Sequence, residues 1–283
     1  MQFKQENSVV FVPDRQPVDQ AIRRTTHLAI AAHQDDLEIM SYQGVLQCYG
    51  HDDGWYTGVV VTDGGGSPRS GLYATYTDQT MQAVRRLEQD KAATIGEYSA
   101  IVQLAYPSSD VKDTANMDII SDLVKLLTEA HPEIVYTHNL ADKHETHIAV
   151  ALRVIASIRQ LPAADRPAKL YGCEVWRDLD WLGDEEKIRF DVSGHPNLAA
   201  ALLGVFDSQI AGGKRYDLAA IGRRLANATF SQSNGVDESP AVSFAMDLTP
   251  LIQDDTLDIT GFINDHIQRF QNQVTANIIR LIF

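Results

Sequence analysis

The sequence predicts an α/β fold, a Rossmann-like three-layer sandwich around a mostly parallel sheet. Three observations lead there. A short unbroken apolar run at residues 28–32, and strand-like, mostly apolar stretches at 56–61, 101–105 and 133–137, recur along the chain, as buried strands require. Between them, apolar residues recur at helical spacing. The connecting loops are short enough for right-handed crossovers between parallel strands.

The elements follow in order. Residues 28–32, Leu-Ala-Ile-Ala-Ala, are the first buried strand. Residues 36–49 carry apolar side chains at 37, 40, 45, 46 and 48–49, one helix that Gly50 ends. Residues 56–61 are a second strand, stopped by Asp63-Gly64-Gly65-Gly66. Residues 64–71, rich in Gly, Ser and Pro, read as a mobile loop. A helix over 78–95 ends at Gly96. A third strand over 101–105 is closed by Tyr106-Pro107. A helix over 117–130 precedes Pro132, which restarts the chain toward a strand at 133–137. Residues 146–158 are again helical, with Arg153 and Arg159 on the outer side.

After Leu161-Pro162 the rhythm weakens. Strands are expected over 169–176 and 241–246, and helices over 198–210, 217–227 and 262–281. Residues 160–170, rich in Pro and Ala, mark a junction within one domain spanning 1–283.

Composition narrows the function. Hydrophobic residues make up 44% of 283, so a sizeable core is expected. The net charge of −14 argues against nucleic acid or an anionic membrane as main partner. The 2 cysteines, Cys48 and Cys173, lie in apolar surroundings, which disfavours a disulfide framework and a thiolate metal site. Residues 1–18 lack the basic flank and apolar core of a signal peptide. No apolar run approaches the ~20 residues of a membrane span. The expectation is a cytoplasmic protein with a small-molecule substrate, with homo-oligomerisation left open.

Two strand ends carry the chemistry. The first strand runs into His33-Gln34-Asp35-Asp36. The fourth runs into His138, Asp142, His144 and His147. Ligands collect at the carboxyl ends of strands in an open α/β sheet. Two imidazoles, a carboxylate and a spare carboxylate are what a hydrolytic zinc centre needs. Taken singly the pieces are ordinary. An Asp pair at a helix start is often a cap, and a His pair three apart often lies on a solvated face. Gly64-Gly65-Gly66 does not complete a dinucleotide loop, because Arg69 stands where the third glycine belongs.

At these residues the chain resembles the PIG-L or LmbE-like N-acetylglucosaminyl deacetylases. The family motif A-H-P-D-D is matched by Ala32-His33-Gln34-Asp35-Asp36. The motif H-x-x-x-D-x-H-x-D-H is matched from His138 to His147. Thr62-Asp63-Gly64, Arg85-Arg86-Leu87-Glu88 with Ala92-Ala93 and Gly96, and Ser208-Gln209 match further motifs in the same order. The resemblance covers about residues 25–210 and leaves 211–283 as a C-terminal elaboration.

The resemblance implies a zinc-dependent hydrolase that removes an acetyl group from an N-acetylated amino sugar. His33, Asp36 and His147 would hold Zn2+. Asp35 would be the general base on the attacking water. His144 would stabilise the oxyanion and help protonate the leaving amine. Arg85, Asp142 and Arg177 are expected to contact substrate, and Trp176 and Trp181 can stack on a sugar ring. Three departures stand out. Gln34 replaces Pro. Leu37 stands where Glu is usual, with Glu38 after it. Thr146 replaces the Asp that would raise the His144 pKa, a role Asp142 can take over. Two other functions fit the same residues: a zinc hydrolase of another amide, such as a thiol conjugate or antibiotic precursor, and a metal- or sugar-binding module without turnover.

Overall fold

The apolar runs become neighbouring strands of one eight-stranded sheet in the computed structural model, which describes residues 1–231 and 234–283. The strands are β1 (Val9–Phe11), β2 (His27–Ala31), β3 (Tyr56–Thr62), β4 (Ala100–Tyr106), β5 (Ile134–His138), β6 (Lys169–Cys173), β7 (Lys187–Asp191) and β8 (Val242–Asp247). Their order across the sheet is β1-β4-β3-β2-β5-β6-β8-β7. The five central strands, β4 to β6, are parallel. β1 pairs antiparallel with β4, and β8 is antiparallel to both β6 and β7.

The helices before the middle of the chain are α1 (Val18–Arg23), α2 (Asp36–Met40), α3 (Tyr42–Cys48), α4 (Asp78–Ile95), α5 (Ser108–Lys112), α6 (Asp118–Ala130) and α7 (Glu145–Arg159). Those after it are α8 (Pro196–Gly204), α9 (Asp207–Ile210), α10 (Tyr216–Phe230), α11 (Pro250–Gln253) and α12 (Ile259–Leu281).

Side-chain alternation explains why apolar residues stand at successive positions of these strands. Leu28, Ile30, Val59 and Val61 point to one face, and Ala29, Ala31 and Val60 to the other. Helices α1, α6, α7 and α11 cover the first face. Helices α2, α3, α4 and α8 cover the second. Each face therefore removes apolar surface from water at about 25 cal/mol per Å², and both sides of every central strand are occupied.

Several expectations change. The single helix over 36–49 is two helices broken at Ser41, whose hydroxyl donates to the Leu37 carbonyl at 2.7 Å. The helix over 198–210 divides likewise into α8 and α9. Arg153 is buried rather than outward and donates to the Asp113 carbonyl. Arg159 also turns inward, its Nε 2.7 Å from the Leu251 carbonyl oxygen. Arg153 thus ties α7 to the chain after α5, and Arg159 ties its C-terminal end to α11. Cys48 and Cys173 are free and buried. Helix α12 starts on the core through Phe262 and Ile263, while Val274, Ile278 and Ile279 are exposed. No helix among the described residues is long and apolar enough to cross a membrane.

The order β3-β2-β5 matters most. Chain connections leave β2 in one direction and reach β5 from the other, so a crevice opens above the carboxyl ends of these two strands. The His- and Asp-bearing turns follow β2 and β5.

Candidate metal centre

The turn after β2 is built for aim rather than for capping. Asp35 occupies the N-cap position of α2 with φ +87°, a left-handed conformation unusual for a residue with a side chain. Such a conformation costs on the order of 1–3 kcal/mol and persists only where surroundings enforce it. Its carboxylate makes no cap hydrogen bond. Oδ1 lies 3.4 Å from the Arg85 guanidinium, and Oδ2 is buried without a hydrogen-bond partner. Asp36 ties the turn instead, accepting from the His33 backbone N–H at 2.8 Å.

Three acceptor atoms converge beside it. Asp36 Oδ2 is 3.1 Å from His33 Nδ1 and 3.3 Å from His147 Nε2. The two imidazole nitrogens are 3.2 Å apart. His147 Nδ1 faces Asp142 Oδ2 at 3.1 Å and so donates its proton there, which leaves a bare lone pair on Nε2. Ligands about 2.0–2.1 Å from a tetrahedral zinc sit about 3.3 Å from one another. The observed triangle has those edges, and the donor set of two imidazoles and one carboxylate suits a divalent cation.

His138 does not belong to the set. Its Nε2 accepts from the Ala32 backbone N–H at 2.8 Å, so that lone pair is used. Burial holds its pKa down to about 4. Its ring stacks on His147 at 3.9 Å and fixes that ring's position. Two further groups bring ligand atoms within 4.8 Å of one another, Asp36 with His138 and His147, and His33 with His144 and His147. In the latter, His144 Nδ1 accepts from the Thr146 backbone N–H at 3.3 Å, which leaves the proton on Nε2 and makes that nitrogen a donor.

Charge follows from this geometry. Burial pushes Asp35 up to about 8, with Arg85 opposing. Burial also acts upward on Asp36, but His147, His138 and His33 together hold it well below the usual carboxylate range. Burial and the neighbouring His33 and His147 lower His144. The carboxylate pair thus divides into an ionised member amid the imidazoles and a less acidic member beside it.

The sequence-predicted residues separate in space. His33, Asp35, Asp36, Arg85, His144 and His147 all line one cavity of about 490 Å³. Arg85 is buried rather than solvated, donating to the Gln34 carbonyl and the Ser67 hydroxyl. Asp142 and Arg177 are not among the residues that line it. Asp142 is spent on the protein: besides His147 it accepts from the Val175 and His144 backbone N–H groups. Burial pushes it up, yet the His147 contact outweighs this and leaves it at about 2. It makes no hydrogen bond to the His144 ring, but its charge, with that of Asp36, still acts upward on His144 against the lowering by burial.

The departures have plain consequences. Gln34 turns its side chain toward Gln103 and Thr62. A Cβ on Gly64 would come within 2.5 Å of Gln34 Oε1, and its φ is +75°, a conformation that favours glycine. Leu37 packs in the core against Gly58, and Glu38 bonds Gln89 and Tyr98 away from the cavity. Lys112, Lys214 and Tyr216 join the cavity wall unannounced by any local pattern. Burial, with Asp35 and Asp36 nearby, pushes the Tyr216 hydroxyl up to about 12.

Residues 28–158 match the family model described as PIG-L, GlcNAc-PI de-N-acetylase. That match spans the chain from β2 to α7, the stretch that carries both strand-end motifs. No curated protein matches the chain in sequence. Among solved structures it is similar to a conserved protein of Thermus thermophilus, with TM-score 0.62 and 17% identity over 83% of this chain and 99% of that one. It is similar to the 4-carboxy-2-hydroxymuconate hydratase of Pseudomonas putida, with TM-score 0.61 and 16% identity over 79% and 96%. It is also similar to the N,N'-diacetylchitobiose deacetylase of Pyrococcus horikoshii, with TM-score 0.58 and 18% identity over 78% and 83%. At such identities the likeness is one of fold, and the hydratase shows that the fold alone does not choose the reaction.

Proposed function

We propose that this chain is a zinc-dependent N-deacetylase that frees the amine of an N-acetylated amino sugar. One observation carries the reading. A buried carboxylate with an unpartnered oxygen, Asp35, stands beside a triangle of three converging acceptors. A binding module needs the triangle but has no use for the unpartnered base. The P. horikoshii neighbour, named for a deacetylase of an acetylated disaccharide, supports the sugar substrate.

His33, Asp36 and His147 would hold the cation. When bound, it supplies Lewis acidity that makes water a nucleophile near neutral pH and polarises the amide carbonyl. Asp35 takes the proton of the water whose oxygen adds to the carbonyl carbon. Its raised pKa suits a group that must both accept that proton and return one. His144 presents Nε2–H to the carbonyl oxygen as negative charge develops there. The C–N bond then breaks, the amine leaves with a proton delivered from Asp35 with His144 assisting, and acetate remains. Arg85 holds Asp35 in place and lends positive charge to the cavity wall.

The test is acetate release from N-acetylglucosamine, its oligomers, its phosphates and its lipid- or inositol-linked forms, using metal-loaded protein. Asp35→Asn is expected to keep the metal and lose about 10²–10⁴ in turnover, the usual worth of a general base. Bound metal with no acetate from any substrate would overturn the reading in favour of a binding module.

A further inference from the structure

Helix α12 begins on the protein and ends off it. Phe262 and Ile263 pack against the core. His266 and Arg269 reach Glu186 at 2.9 and 2.7 Å, and Phe270 is half-buried. From Gln271 to Phe283 every residue is exposed. Residues 271–281 are nevertheless helical, a projection of about 16 Å at 1.5 Å per residue. Most helical stability in proteins comes from packing of an apolar face, and here that face is bare among the described residues.

The bare stretch is apolar and free of acid. Ile279, Leu281 and Ile282 are 67%, 70% and 68% exposed, and Val274, Ile278 and Phe283 are exposed beside them. No carboxylate side chain follows Asp265, and Arg280 is the only charged side chain between Phe270 and Phe283. Apolar surface gathered in this way marks an interaction site. Its spacing names the kind of partner. Ile263, Ile267, Phe270, Val274 and Leu281 follow one another at steps of four and three, with Asn277 taking the place between the last two. A repeat of 3.5 residues is the seam along which one helix packs on another.

We propose that α12 is a dimerisation helix, whose projecting end packs on the same stretch of a second copy of this chain. A two-fold contact needs a self-complementary surface, and an apolar seam with a single Asn to fix its register is one. Charge favours the same partner. Copies that each carry −14 repel one another, and the repulsion is least where they meet through a tip without acid. The area suffices: two such tips bury on the order of 1,000 Å² together, the lower end of specific interfaces. A lipid surface fits less well. A helix that lies on a membrane carries Lys and Arg along its polar side, and here that side holds Gln268, Asn272 and Thr275.

Sedimentation velocity with light scattering on the whole chain tests the proposal. At about 100 µM, well above micromolar dissociation, the chain is expected to be a dimer. Val274→Glu combined with Leu281→Glu is expected to weaken the dimer at least ~100-fold, as charges placed in a buried seam do. Gln268→Glu combined with Asn272→Glu adds the same charge away from the seam and is expected to remain dimeric. All four positions are exposed, so neither variant threatens folding. A monomeric wild type, or a dimer that survives Val274→Glu with Leu281→Glu, overturns the proposal. Loss of the dimer in Gln268→Glu with Asn272→Glu also overturns it, because net charge rather than the seam would then decide association. A monomeric wild type that floats with phosphatidylcholine vesicles overturns it in favour of a lipid surface.

Discussion

Glu88 on α4 and Ser208 on α9, separated by 120 positions, are joined by two hydrogen bonds. Oε1 accepts from the Ser208 backbone N–H at 2.7 Å, and Oε2 from its hydroxyl at 2.6 Å. Both residues are buried. Glu88 lies one helical turn beyond Arg85, and Ser208 directly precedes Gln209, which lines the catalytic cavity. The pair therefore fixes the distance between two cavity walls. Ser208→Ala leaves one oxygen of a buried carboxylate without its donor. The expected loss is about 1.5–3 kcal/mol, typical of a hydrogen bond to a charged group. Denaturant unfolding measures it. A change below about 0.5 kcal/mol would mean that the two walls are held by packing alone.

The relation shows what sequence can and cannot carry. The Arg-x-x-Glu and Ser-Gln motifs are visible in the chain, but nothing in their spacing says that they touch. Strands β2 to β5 were legible because burial on both faces leaves only apolar residues to read. β7 was legible in principle: Ile188 and Phe190 alternate with charged neighbours, yet a five-residue edge strand gives a weak signal. The break at Ser41 was not legible, since it depends on a hydroxyl finding the Leu37 carbonyl. At the site, the three residues expected as metal ligands converge. Asp142 was legible as a polar residue near them, but the direction of a loop side chain follows no period. Lys112 reaches the cavity from the end of α5, and Lys214 and Tyr216 from the loop before α10 and from its start, and only tertiary packing brings them there.

Asp142 is expected to govern metal affinity without touching the metal. Its carboxylate holds His147 in the tautomer that offers Nε2 to the cation. Asp142→Asn keeps the shape of the side chain and removes the charge. Partners of this kind commonly carry 10–100-fold in affinity. Competition against a chelator is expected to show that drop, and activity is expected to return when zinc is raised in proportion. Unchanged affinity would show that the His138 stack and the fold hold His147 unaided.

The ligand assignment separates two clusters. His147→Ala and Asp36→Asn are each expected to lower zinc content well below one per chain by elemental analysis. His144→Ala is expected to retain zinc and lose turnover, because its Nδ1 is engaged by the Thr146 N–H and its Nε2 carries a proton. Loss of zinc in His144→Ala would transfer the third ligand position from Asp36 to His144.

Asp35 gives the pH dependence. Burial raises its pKa to about 8, and Arg85 pulls it down. In the metal-free protein the folded state therefore binds this proton more tightly than the unfolded chain, whose Asp titrates near 3.9. The group's contribution to stability is complete below about pH 4 and is lost as pH rises through about 8. Unfolding free energies measured in chelator across that window should fall with pH, and Asp35→Asn should flatten the slope. For catalysis the sign is the opposite, because the base must be ionised: turnover rises with pH along the acid limb. A bound cation, being positive, places that limb below 8. Arg85→Met removes the opposing charge and is expected to move the limb to higher pH. A limb that stays in place in Arg85→Met would mean that a group other than Asp35 titrates there.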